Sequence, residues 1–126
     1  MLCAPITSQY AGIEALSDGF SDGFSVVEEM REAYDKRRRF VLSSLQEIGL
    51  ECFEPRGAFY AFPSVKNTGM DSEIFAERLL KEQKVAVVPG TAFGQFGTGN
   101  VRLSYATGVA QLNEAFERMS AFMKKL

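Results

Sequence analysis

The sequence predicts an α+β fold in which a small β-sheet packs against a long N-terminal helix and two further helices. Three observations carry that expectation. Between Ser25 and Gly49, the apolar residues Val27, Met30, Tyr34, Val41, Leu45 and Ile48 recur at helical spacing. The runs at residues 85–88 and 101–106 are short and rich in β-branched and aromatic residues, as strands are. Residues 71–83 and 109–126 then return to a helical period.

Taken in order, residues 6–16 read as a short helix with Tyr10, Ile13 and Leu16 on one face. Residues 17–23 carry Asp-Gly and Ser-Asp pairs, the chemistry of turns, and read as a loop. Ser25 is the expected N-cap of the long helix, with Glu28 completing a capping box and Gly49 ending the helix. The apolar face breaks near Arg37 and Arg38, so the helix is expected to be buried over part of its length. Residues 50–54 and 58–62 read as a strand pair separated by Pro55-Arg56-Gly57, and residues 66–69 as a loop. Asp71 can cap a second helix that turns Phe75, Leu79 and Leu80 inward. Val85-Ala86-Val87-Val88 has no polar face and is expected at the centre of the sheet. The last helix carries Leu112, Phe116, Met119, Met123 and Leu126 on its apolar stripe.

Composition narrows the function. The chain has 126 residues, 46% hydrophobic and 24% charged, with a net charge of −2. One domain is the natural size. Neither nucleic acid nor an anionic membrane is favoured as a partner by that balance. The basic run Lys36-Arg37-Arg38-Arg39 lies within a helical pattern beside Glu28, Glu29, Glu32, Asp35 and Glu47, and reads as a solvated face. Histidine is absent, and Cys3 and Cys52 form no CxxC pair. That removes histidine acid–base chemistry and leaves no zinc ligand set. No apolar run approaches the length of a membrane span. Reduced thiols and a cytoplasmic location are the simplest expectation.

Three segments can carry chemistry. In Val101-Arg102-Leu103-Ser104-Tyr105-Ala106, alternation puts Val101, Leu103 and Tyr105 on one face and Arg102 and Ser104 on the other. An arginine in so apolar a strand needs an anionic partner, and its planar guanidinium suits a carboxylate. The alternative is an edge-strand arginine that reaches water or an internal glutamate. The Gly-rich stretch from Pro89 to Asn100 lacks a Gly-Lys-Ser/Thr ending and lies between strands, so it is no phosphate loop and, taken alone, reads as a plain connection. Gly57-Ala58-Phe59-Tyr60 reads as a turn glycine before an aromatic core strand.

In order and spacing, Gly57-Ala58-Phe59-Tyr60, then Val85-Ala86-Val87-Val88-Pro89-Gly90 with Phe93-Gly94, then Val101-Arg102-Leu103-Ser104-Tyr105-Ala106 resemble three successive signatures of the class I/II pyridoxal-phosphate (PLP) aminotransferases, the aspartate-aminotransferase superfamily of fold type I. Gln9-Tyr10-Ala11-Gly12-Ile13-Glu14-Ala15-Leu16 and Tyr34-Asp35-Lys36-Arg37-Arg38-Arg39 also resemble that family, at the end of its large domain and in its interdomain helix. The resemblance covers essentially the whole chain. It implies the aspartate-aminotransferase small-domain type of fold, with residues 1–24 a remnant of the large-domain end and linker and residues 25–126 the small C-terminal domain. Arg102 would bind the α-carboxylate of the amino acid, Phe59 would line the substrate side of the cleft, and Phe93 would border it.

The resemblance also implies limits. The family's Schiff-base lysine sits in a Ser-x-x-Lys-like setting, and none of Lys36, Lys66, Lys81, Lys84, Lys124 and Lys125 has that context. PLP is therefore expected in a longer parent enzyme and not on this chain alone, which should be inactive and has no catalytic, cofactor or metal ligand of its own. Implied partners are amino acid and 2-oxo acid substrates, the missing large domain, and a second subunit of a homodimeric parent. Two other readings share the fold or the cleft: a fragment of a PLP C–S lyase, and a non-catalytic small-molecule-binding domain. On the family reading, Tyr10, Ile13, Leu16 and Phe20 should form an uncovered apolar surface.

Overall fold

The computed structural model describes residues 3–126. The chain divides into two compact units, Met1–Ala33 and Tyr34–Leu126. The first unit contains helix α1 (Ile6–Asp22) and the start of helix α2 (Ser25–Glu47). Residues 17–22, expected as loop, continue α1 instead. The reversal is compressed into two residues, Gly23 and Phe24, both left-handed at φ 71° and 59°. Gly19 makes the tight return possible, since a Cβ there would lie 2.2 Å from the Phe24 ring. The Phe24 N–H donates to the Gly19 carbonyl at 2.8 Å, and Phe20 and Phe24 meet edge to face at 5.4 Å.

The expected capping box is absent. Ser25 is the first helical residue of α2, and its hydroxyl donates to the Asp22 carboxylate at 2.7 Å, which also accepts from the Phe24 N–H. Asp22 thus takes the capping role, and its carboxyl is held below the usual range chiefly by the Ser25 hydrogen bond. Glu28 turns instead to Arg31. Tyr10, Ile13, Leu16, Phe20, Val27 and Met30 are all more than half exposed, so the apolar face of α2 is unburied at its start.

In the second unit, Val41, Ser44 and Leu45 of α2 are buried, and Gly49 ends the helix at φ 79°. The sheet has three short antiparallel strands, β1 (Tyr60–Ala61), β2 (Val88–Pro89) and β3 (Val101–Ser104), in the order β1-β3-β2. Two expectations are corrected here. Residues 50–54 form no strand, although the Ser64 N–H reaches the Glu51 carbonyl at 2.7 Å; Arg38 holds that segment by its bond to Glu54. The run at 85–88 is not the central strand. Only Val88 and Pro89 pair, at the edge, because a proline has no N–H to give to a ladder. The lack of a polar face there reflects the burial of Val85, just after α3 (Ser72–Gln83) ends at Lys84 in the left-handed conformation.

One face of the sheet meets the core. Val101, Leu103 and Tyr105 pack with Val41 and Leu45, with Phe75 and Leu79 of α3, and with Leu112, Phe116, Met119 and Phe122 of α4 (Val109–Met123). Leu80 and Leu126 were expected inside but are half exposed, and Met123 is only partly buried. Phe122 takes the interior place, fully buried and edge to face with Phe75 at 5.5 Å. It lies three residues after Met119, the other spacing that continues a helical stripe. Asp71 precedes α3 as expected, but its side chain makes no capping hydrogen bond. Residues 66–68 form one 3-10 turn closed by Gly69.

Phe122 fixes the contact between α3 and α4. Truncating a fully buried phenylalanine costs about 3–5 kcal/mol. Phe122→Ala is expected to lower the unfolding free energy measured by urea denaturation by that amount, whereas Leu126→Ala should change it little.

Candidate functional site

The site is built on the sheet face opposite the core. Antiparallel pairing sets Tyr60 opposite Ser104, Ala61 opposite Leu103 and Val88 opposite Arg102. Paired residues share a face, so Tyr60, Ser104, Arg102 and Val88 stand together, away from buried Ala61, Val101 and Leu103. The alternation read from residues 101–106 holds residue by residue: Val101, Leu103 and Tyr105 are buried, Arg102 is half-buried and Ser104 exposed.

The Arg102 guanidinium carbon lies 4.3 Å from the centre of the Tyr60 ring and 4.7 Å from that of Phe93. Phe62 meets Phe93 edge to face at 6.1 Å. Among the described residues, no carboxylate pairs with the Arg102 guanidinium and no oxygen accepts a hydrogen bond from it. The aromatic faces hold the cation without occupying its N–H donors. A half-buried guanidinium with its donors uncommitted can receive a carboxylate in a two-point hydrogen bond.

Phe93 comes from the Gly-rich segment, which is ordered rather than a plain connection. It folds as two 3-10 turns, Gly90–Phe93 and Gln95–Gly97, and the Gly90 N–H donates to the Asn100 carbonyl at 2.8 Å. Gly90 and Gly97 sit backbone against backbone: a Cβ on Gly90 would lie 2.0 Å from the Gly97 carbonyl oxygen. Thr91 donates to the Glu73 carboxylate at the start of α3, and that bond is the main cause of the lowered Glu73 pKa.

Phe59 stands one residue out of phase with Tyr60. Its ring stacks on Tyr34 of α2 at 6.1 Å and tilts against Tyr60 at 4.6 Å, so it reaches the arginine through Tyr60. The turn before it uses Ala58, not Gly57, for the left-handed residue at φ 60°. The Tyr105 hydroxyl donates to the Ala58 carbonyl at 3.1 Å and the Tyr105 N–H to the Phe59 carbonyl at 2.9 Å, which hold that conformation. Burial pushes the Tyr105 hydroxyl pKa up. Of the three residues read from the sequence, Arg102 and Phe93 are in direct contact and Phe59 is one ring away. Tyr60 was missed as a site residue. It lay within a quoted motif, but its partner on β3 depends on a register that no local pattern states.

The charged residues of α2 brace the same region. Asp35 accepts hydrogen bonds from Arg38 at 2.7 and 2.9 Å and from Arg39 at 2.5 Å, and Arg38 also reaches Glu54. Arg37 lies over the Tyr34 ring at 5.3 Å. Of the basic run expected to be a solvated face, Lys36 and Arg39 are exposed, whereas Arg37 and Arg38 are part-buried, Arg37 on a ring and Arg38 in ion pairs. No group of His, Cys, Asp and Glu among the described residues could hold a metal ion. The six lysines are all exposed; Lys81 pairs with Glu77, and Lys84 donates to the Lys81 carbonyl. None of these exposed side chains has the desolvated apolar pocket that activates an imine-forming amine, so these residues do not fit covalent attachment of PLP.

The site is thus a half-buried guanidinium on an aromatic bed, at one face of a three-stranded antiparallel sheet backed by helices. The family follows from comparison. Residues 1–119 match the model of the class I and II aminotransferases, and the chain belongs to that family. It is 50% identical to aromatic-amino-acid aminotransferase 2 of Thermococcus litoralis and 50% identical to the aspartate aminotransferase of Pyrococcus abyssi, in each case over 96% of this chain and 31% of the relative. The crystal structure of the aromatic aminotransferase from Pyrococcus horikoshii superposes with a TM-score of 0.87 at 51% identity, over 93% of this chain and 31% of that one. The chain thus spans about a third of the length of the relatives it matches. None of the helices among the described residues is long and apolar enough to cross a membrane.

The Asp35 pairs give a pH test. Hydrogen bonds from Arg38, then from Arg39, hold the Asp35 carboxyl below its ordinary 3.8. A lowered carboxyl pKa contributes stability above the ordinary value and loses it as pH falls through the folded-state value. Asp35→Asn should therefore lower Tm at neutral pH. The gap from wild type should close as pH falls below about 4, followed by circular dichroism melts across the acid range.

Proposed function

We propose that this chain is the small domain of a PLP-dependent aminotransferase that exchanges an amino group between L-amino acids and 2-oxo acids, with Arg102 as the receptor for the substrate α-carboxylate. The observation that carries the reading is the Arg102 guanidinium, held on Tyr60 and Phe93 with no carboxylate of its own among the described residues. Membership of the aminotransferase family supports it. Both substrates of a transamination carry a carboxylate next to the reacting carbon. One fork-shaped donor can then orient either in the same place, which is the positioning such a reaction needs.

The remaining roles belong to a longer protein. PLP would be held by the rest of that polypeptide, since the lysines here do not suit it. Residues 1–24 would belong with its large domain and residues 25–126 would form the small one. Exposed Tyr10, Ile13, Leu16 and Phe20 are the side chains such a domain would cover. The parent would act as a homodimer. Phe59 and Phe93 would shape the cleft beside the bound substrate, Phe93 directly and Phe59 through Tyr60. Substrates of both kinds named for the relatives, aromatic amino acids and aspartate, share the α-carboxylate and are the first to assay.

A charge-assisted hydrogen bond contributes about 1.5–3 kcal/mol, and each 1.4 kcal/mol is about a factor of ten. A two-point clamp sits at or above the upper end of that range, so Arg102→Ala in the full-length enzyme should lower kcat/KM by roughly a hundred-fold or more for amino acid and 2-oxo acid alike. Arg102→Lys should recover little, because an ammonium cannot reproduce the fork. Tm should hold in both variants. Near-normal kcat/KM in Arg102→Ala, or a large loss of Tm, would remove the assignment. As a separate check on cofactor placement, the 126-residue chain mixed with PLP and reduced with borohydride should give only scattered surface adducts by peptide mass mapping. A stoichiometric adduct on one lysine would overturn the view that PLP is held elsewhere.

A further inference from the structure

We infer that Tyr60 is a positioning residue for Arg102: its ring sets the plane of the guanidinium and so the direction from which a carboxylate is received. The inference rests on the reading of Arg102 as the carboxylate receptor and deepens it. A surface arginine has several rotatable bonds and ordinarily samples many orientations, and ordering it costs entropy on binding. Proteins commonly order a functional arginine with a neighbouring carboxylate. Here a carboxylate would compete with the substrate for the same N–H donors. An aromatic face avoids that competition, because it attracts the cation through its π-electrons and leaves the in-plane donors free.

Several features single out Tyr60 for this task. It is the nearer of the two rings, at 4.3 Å. Its position is fixed by strand pairing with Ser104, which places it diagonal to Arg102 on the same face, whereas Phe93 is carried on a loop. Tyr60 is itself braced by a further ring. Phe59 tilts against it at 4.6 Å and stacks on Tyr34, and Tyr34 also meets buried Tyr105 at 6.5 Å. A continuous run of rings thus connects α2 to the guanidinium through β1. A ring wedged in this way has few alternative rotamers and can impose its plane on the side chain above it.

Two readouts separate positioning from mere packing. In the 126-residue chain, NMR should find the Arg102 Nε–H displaced from the free-arginine position by the ring current of Tyr60. Tyr60→Leu should return it toward that position, and Tyr60→Phe should not. In the full-length enzyme, Tyr60→Leu should raise KM for the amino acid about ten-fold with kcat within about two-fold, the size of effect that a cation–π contact of about 0.5–2 kcal/mol allows. Tyr60→Phe should restore KM, since the face is kept and only the hydroxyl is lost. If Tyr60→Leu fails to fold, Tyr60→Phe and Phe93→Leu carry the test: the first should leave KM near wild type and the second should raise it several-fold. The inference is overturned if Tyr60→Leu leaves KM and the Arg102 resonance unchanged, if it lowers Tm alone, or if Tyr60→Phe behaves like Tyr60→Leu. Arg102→Ala run in parallel distinguishes the two levels. Its severe loss alongside a silent Tyr60→Leu removes only the role of Tyr60, and a silent Arg102→Ala removes the carboxylate reading as well.

Discussion

The antiparallel register of β3 against its two neighbours is the constraint on which the site depends. With Tyr60 opposite Ser104 and Val88 opposite Arg102, Val101 and Leu103 of β3 and Tyr105 just after it enter the core, and the arginine is left on the other face beside an aromatic ring. A slip of one residue would bury the guanidinium among Phe75, Leu79 and Phe122 and expose Val101 and Leu103. The cost of an unpaired buried charge makes that alternative prohibitive. The apolar alternation that builds the core is thus the same feature that presents the arginine.

Such short strands do not hold a register by their own ladders. The pairs are two residues long on each side of β3, and the surroundings supply the rest. Tyr105 ties the end of β3 to the turn before β1 through both its hydroxyl and its N–H. At the other end, the Val101 N–H donates to the Pro63 carbonyl at 3.0 Å, and Ser64 bridges to Asn100. Behind the sheet, α3 and α4 press on it through Phe75 and Phe122. The Gly90–Gly97 contact fixes the loop that brings Phe93 over the guanidinium, and Thr91 fastens that loop to α3.

The electrostatics separate into two kinds of arginine. Arg38 and Arg39 are satisfied by Asp35 and Glu54 and brace α2 against the segment after it. Arg102 rests on rings, and no carboxylate among the described residues pairs with its guanidinium. Internal ion pairs stabilise the domain and saturate the cation. A cation held only by aromatic faces contributes less to folding and stays available for an anion. Arg37 likewise lies over a ring, Tyr34, and Arg102 differs from it in resting on two, Tyr60 and Phe93.

The sequence by itself determined the four helices, the α+β class, the inward face of β3 and the outward position of Arg102, because each is a local periodicity set by which residues avoid water. It also carried the family resemblance, which the match over residues 1–119 bears out. It misjudged the features that depend on distant partners. Residues 17–22 hold turn chemistry yet stay helical, because the Phe24 ring closes over Gly19. The valine run at 85–88 looks central yet lies at an edge, because Pro89 has no donor and Val85 is buried in the core cluster before the pairing begins. Phe122 rather than Leu126 fills the core, because Phe75 stands opposite it. Tyr60 joins the site for a similar reason: pairing across 44 positions, from Tyr60 to Ser104, decides which ring lies under the guanidinium. Local pattern states which way a side chain points, and only the packed structure states what it meets there.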